Sequence, residues 1–151
     1  MPSNLPMRFV EGTILQLLQL YCPITLIIFL LDLFGVRENM KIFVLEVGRP
    51  IKQDVEKELG RVDDVLSIPR AISEIEIPKI AAEAYKRVMK LAQGGEEVAI
   101  VLSGPLALAF QLGQAIGLSH AKVIVYQFSQ GRYVKVPPIT RELLFEAMKQ
   151  Q

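Results

Sequence analysis

Two arginines, two glycines and two serines stand at the ends of apolar, β-branched runs in this 151-residue chain. Arg49 lies in Gly48-Arg49-Pro50 after the run Lys41 to Val47, and Arg70 follows Pro69 after the run Asp63 to Ile68. Ser103-Gly104 closes the run that begins at Glu97, and Gln127-Phe128-Ser129 closes one that begins at Ala121. A guanidinium offers two parallel donors to a phosphate, and glycine lets a backbone amide approach one closely. The set Gly48, Arg49, Pro50, Arg70, Ser103, Gly104, Gln127 and Ser129 therefore suits a phosphate-bearing ligand. Taken singly, each arginine reads as a solvated loop residue and Ser103-Gly104-Pro105 as a tight strand-to-helix turn. Their convergence on one rim carries the functional reading.

Other chemistries find no footing in the sequence. The one histidine, His120, sits in a turn, so a histidine-based metal cluster is excluded and no metal is expected. No hydrolytic triad and no Walker loop are present, and Gly48 lacks the further glycines of a dinucleotide fingerprint. No catalytic residue and no cofactor are assigned. A formal charge of +1 provides no field for duplex nucleic acid. The single Cys22, inside an apolar stretch, permits no intramolecular disulfide and reads as packing.

From Lys41 onward strand and helix alternate, the signature of a parallel sheet with crossover helices. Lys41 to Val47 reads as strand one, Ile51 to Leu59 as a short polar helix closed by Gly60, and Asp63 to Ile68 as strand two. Pro78 opens a helix to about Gln93, with Ile80, Ala84, Val88 and Leu91 on one stripe, and Gly94-Gly95 stops it. The uncharged run Val98 to Leu102 is the central buried strand and feeds an Ala/Leu-rich helix, with Pro105 at its first position and Gly117 at its stop. Ala121 to Phe128 makes a fourth strand, Ser129-Gln130-Gly131 turns the chain, and Arg132 to Val136 returns as an edge strand. A terminal helix follows Thr140 as N-cap. The fold class is α/β, with about four parallel strands, a C-terminal hairpin strand and flanking helices. Right-handed crossovers put the loops after the parallel strands on one edge, where open sheets bind ligands.

Hydrophobic residues make up 51% of the chain, and the excess sits near the N-terminus. No charge occurs from Gly12 to Leu31, a stretch long enough to cross hydrocarbon, which takes about 20 residues. The expectation is a transmembrane helix at about 13–36, within an N-terminal segment 1–39 that precedes a domain at 40–151. Pro23 and Asp32 work against that reading. Gln16, Gln19, Cys22 and Thr25 recur every third residue and Asp32 continues their face, which suits a helix interface or pore between copies. Lipid is then a partner, and the charge bias favours a single-pass protein with its C-terminal domain cytoplasmic. A competing reading starts the working protein near Met40 and makes residues 1–39 incidental.

Residues 40 to about 136 resemble the small CRISPR-associated Rossmann-fold (CARF) proteins found beside type III CRISPR systems. The resemblance rests on Glu46-Val47-Gly48-Arg49-Pro50 after strand one, on Val65-Leu66-Ser67-Ile68-Pro69, and on Leu102-Ser103-Gly104-Pro105 leading into an Ala/Leu helix. It implies a Rossmann-like fold and a homodimer or higher oligomer that binds cyclic oligoadenylate across its two-fold axis. Some such proteins cleave the ring without metal, others sense it, and a subset carry a transmembrane helix. Three functions stay open: a membrane-anchored antiviral receptor whose ligand rearranges its helices; a soluble ring nuclease or sponge, with Arg49, Ser103 and Ser129 placed to align the ribose hydroxyl; and a non-enzymatic protein-binding domain.

Overall fold

The computed structural model describes residues 40–149. The membrane-spanning helix expected at about 13–36 lies outside them, and with it Gln16, Gln19, Cys22, Thr25 and Asp32. Among the described residues no helix is long and apolar enough to cross a membrane.

Apolar strands alternate with helices along the chain: β1 (Met40–Val47), α1 (Lys52–Leu59), β2 (Asp64–Ile68), α2 (Ile77–Leu91), β3 (Glu97–Ser103), α3 (Leu106–Gly117) and β4 (Lys122–Ser129), followed by β5 (Arg132–Val136) and α4 (Arg141–Lys149). The five strands form one sheet in the order β2-β1-β3-β4-β5. Its first four members are mutually parallel, and β5 is antiparallel to β4. β1 and β3 occupy the middle and are nearly wholly apolar, as strands covered on both faces must be.

Strand alternation sorts the core into two layers. Phe43, Leu45, Val47, Val98 and Ile100 pack on one face with Ala81, Ala84 and Val88 of α2 and Leu108 and Leu112 of α3. Ile42, Val44, Ala99 and Val101 pack on the other with Ile51 and Val55, joined by Tyr126 and Tyr133. α1 thus covers one face, and α2 and α3 the other. The chain leaves β1 toward the α1 face and β3 toward the α3 face, so a crevice opens between the carboxyl ends of these two strands.

Three local expectations are corrected. Pro105 is the N-cap of α3, with extended backbone (φ −61°, ψ 139°), and the helix starts at Leu106. Its carbonyl accepts the amides of Leu108 and Ala109, so the proline serves the first turn from outside. Gly117 is the last helical residue and needs no left-handed backbone, because the end is closed by Ser119, whose amide and hydroxyl both donate to the Ile116 carbonyl. Ser129 lies in β4 opposite Arg132, which leaves a two-residue turn at Gln130 (φ 51°) and Gly131 (φ 81°). Positive φ at both central residues matches the right-handed twist of the flanking strands.

α4 starts behind Thr140, whose hydroxyl accepts the Leu143 amide at 3.3 Å. Its apolar side chains, Leu143, Leu144, Phe145 and Met148, are all at least half exposed.

Candidate functional site

The loop after β1 is built around a buried carboxylate. Glu46, only 6% exposed, accepts the amide of Ile51 at 2.7 Å and that of Lys52 at 3.0 Å. Burial alone pushes this carboxyl up; the Ile51 amide, the Ser67 hydroxyl, the Lys52 amide and the Lys52 charge outweigh it, and its pKa lies below the usual value. Glu46 thereby caps α1 from the preceding strand and closes Gly48-Arg49-Pro50 into a fixed loop. Gly48 turns it at φ 78°, and its amide donates to the Ile68 carbonyl at 2.8 Å.

The loop after β3 is held by close approach. A methyl group on Gly104 would lie 3.2 Å from Cβ of Val47 and 3.3 Å from its Cγ2, so glycine lets the end of β3 pass against the end of β1. Two helix N-termini therefore meet this edge in different states. The first amides of α1 are occupied by Glu46, whereas α3 has no side-chain cap. A helix N-terminus favours an anion, so the uncapped α3 end is a candidate anion site.

Between the loops lies a cleft of about 220 Å³ lined by Arg49, Ile51, Asp54, Leu102, Ser103, Phe128 and Tyr133. Arg49 and Ser103 are thus brought together, with Gly104 beside Ser103. Among the described residues Arg49 enters no ion pair, whereas Arg87 is engaged by Asp64 and Glu83 and Arg70 by Glu76.

The other expected residues are placed apart. Pro50 lines a neighbouring hollow with Glu46, Lys52, Gln53 and Asp54. Arg70 lies in a separate groove with Leu66, Ile68, Glu76 and Lys79, its guanidinium donating to both oxygens of Glu76. The Arg70 bonds, then the Ser73 amide and hydroxyl, hold Glu76 down to about 2. Gln127 and Ser129 alternate with Phe128 along β4, so they project on the face opposite the cleft.

Phe128, Tyr133 and Asp54, with the apolar Ile51 and Leu102, are the cleft residues that the sequence reading did not select. Phe128 and Tyr133 are cross-strand partners with ring centroids 5.2 Å apart and planes at 60°. Reading Gln130-Gly131 as a two-residue turn would have paired them.

The sequence profile of the SMODS-associated and fused to various effectors sensor domain (SAVED) matches residues 42–137, which span the sheet and its cleft. The chain belongs to the SAVED family. The CARF resemblance and this membership meet in a solved structure, the Acinetobacter baumannii Cap4 SAVED/CARF-domain containing receptor with the cyclic trinucleotide 3′3′3′-cAAA. This SAVED chain superposes on it with a TM-score of 0.52 at 16% identity, over 66% of its own length and 24% of the receptor's. The likeness is one of fold, and the SAVED chain spans about a quarter of that receptor. No curated protein sequence matches it.

Proposed function

We propose that this SAVED chain is a sensor of antiviral defence that binds a cyclic oligonucleotide, with a cyclic oligoadenylate as messenger, at the cleft between β1 and β3. The observation that carries the reading is the meeting, in one cleft at the switch point of a SAVED sheet, of Arg49, free of ion pairs among the described residues, with Ser103, the last residue of β3 before the uncapped α3. A phosphodiester there meets a guanidinium from one loop and backbone amides from the other, a pairing that binds charge without turning it over. The cyclic trinucleotide of the fold relative supports the choice of ligand class.

The proposal extends to the rest of the chain. The uncharged stretch Gly12 to Leu31 anchors the protein in the cell membrane with the sensor on the cytoplasmic side, and copies associate so that the messenger reorganises their helices. A type III CRISPR system is the setting that the CARF resemblance supplies. A thermal-shift screen of the full chain against cyclic di-, tri- and tetranucleotides tests the sensing. Ligand at about 100-fold over Kd adds about 2.7 kcal/mol and raises Tm by several degrees. A Tm unmoved by every ring overturns it. Fractionation of expressing cells tests the anchor, and full recovery in the soluble fraction overturns that part.

A further inference from the structure

The proposed site accounts for phosphate binding by Arg49 and the α3 N-terminus but leaves one wall of the cleft unused. That wall is the β4–β5 hairpin, where Phe128 is 56% exposed and its ring meets that of Tyr133. An aromatic ring open to solvent beside a guanidinium is a surface on which a nucleobase stacks, because every base has a π-face. The hairpin is held in place for this: the Tyr133 amide donates to Glu58 of α1 at 2.6 Å. Asp54, one turn before Glu58 on the same helix, also lines the cleft. Its carboxylate only accepts hydrogen bonds, so it favours a base that presents an exocyclic amine and repels one that presents only carbonyl oxygens there. At about 220 Å³ the cleft is smaller than the ~300–1,000 Å³ of ordinary small-molecule pockets, so it takes one base and not a whole ring.

Resting on the sensor reading, we infer that the hairpin is the base-reading wall: Phe128 stacks one base of the messenger, its ring backed by Tyr133, and Asp54 selects an amine-bearing base, adenine above uracil. Both terms are absent from the phosphate contacts, so the base is read on β4 and α1 while charge is read at the ends of β1 and β3.

The test is calorimetric titration of the full chain with cyclic tri- and tetra-adenylate and with the uridylate rings of the same sizes. Phe128→Ala is expected to weaken adenylate binding ten-fold or more, and Phe128→Tyr to restore it to within about three-fold, as stacking predicts. Phe110→Ala, which removes a comparably exposed ring (67%) on α3, is expected to change nothing. Wild-type protein is expected to prefer adenylate over uridylate at least ten-fold, and Asp54→Asn to narrow that gap. Adenylate binding that survives Phe128→Ala, or equal affinity for both rings, overturns the base-reading wall while leaving the phosphate site standing. Wild-type protein that binds no ring overturns both.

Discussion

The carboxylate of Glu46 accepts the amide of Ile51 at 2.7 Å, so the end of β1 is bonded to the entry of α1 and the Arg49 loop has its two ends fixed to each other. Hydrogen bonds to a charged group contribute about 1.5–3 kcal/mol. Glu46→Gln is expected to cost about 2 kcal/mol in urea unfolding at pH 7. Because the folded pKa is lowered, the Glu46 contribution is present above the unfolded value of 4.5 and is lost as pH falls through the folded one. The gap between wild type and Glu46→Gln should therefore close in acid. A gap of constant size from pH 7 to pH 3 would show that the charge is irrelevant.

Arg49 in the cleft and Arg141 outside it together test the proposed site. Losing a charge-assisted hydrogen bond costs about 1.5–3 kcal/mol, or roughly ten- to a hundred-fold in affinity. Arg49→Ala is expected to weaken cyclic oligoadenylate by that factor. Ser103→Ala should lose less, since the neighbouring amides survive it, and Arg141→Ala, on the exposed α4, should lose nothing. Equal losses from Arg49→Ala and Arg141→Ala would move the site off this edge of the sheet. Arg37, also expected to be neutral, lies outside the described residues.

Gly104→Ala tests the close approach of β3 to β1. The added methyl must displace Val47, and overpacking of this kind costs about 1–3 kcal/mol. Val47→Ala on its own opens a space, so the double variant is expected to be more stable than the sum of the single losses predicts. Strict additivity in a double-mutant cycle of urea midpoints would count against the contact.

The Arg70–Glu76 pair offers a titration with its sign fixed in advance. With Glu76 held at about 2, its tether to Ser73 and Arg70 is complete above 4.5 and is released as pH falls through 2. Carboxyl NMR of wild type should show Glu76 titrating well below its ordinary range. In Arg70→Ala the titration should move back toward 4.5, and a value that stays low would assign the shift to Ser73 alone.

Much of this architecture was legible because it rests on composition. Val98 to Leu102 could only be a buried strand, and Gly104-Pro105 could only end it. The Arg49–Ser103 pairing followed from topology, since loops after parallel strands share an edge. The hairpin wall was missed for a geometric reason. A turn one residue too long moves Ser129 out of the strand and breaks the pairing of Phe128 with Tyr133, and side chains have a period of two along a strand. Arg70 was misjudged in company, not in position: its loop lies at the expected edge, but Glu76, distant by six residues, claims the guanidinium. The cap from Glu46 was invisible because a carboxylate inside an apolar strand gives no sign of which amides it faces.

The unequal anchoring of the two walls has a consequence for how such sensors diversify. The Arg49 loop is locked by Glu46 and by the Val47–Gly104 approach, so changes there are paid for in stability. Phe128 stands half in solvent on a hairpin tip, where substitutions away from the core are usually worth within about 0.5 kcal/mol. In stability the residue at 128 can therefore be exchanged almost freely while the Arg49–Ser103 edge stays as it is. On the base-reading inference, a change at 128 would alter how firmly a base is held and a change at Asp54 which base is preferred, with the β1–β3 scaffold left as it is.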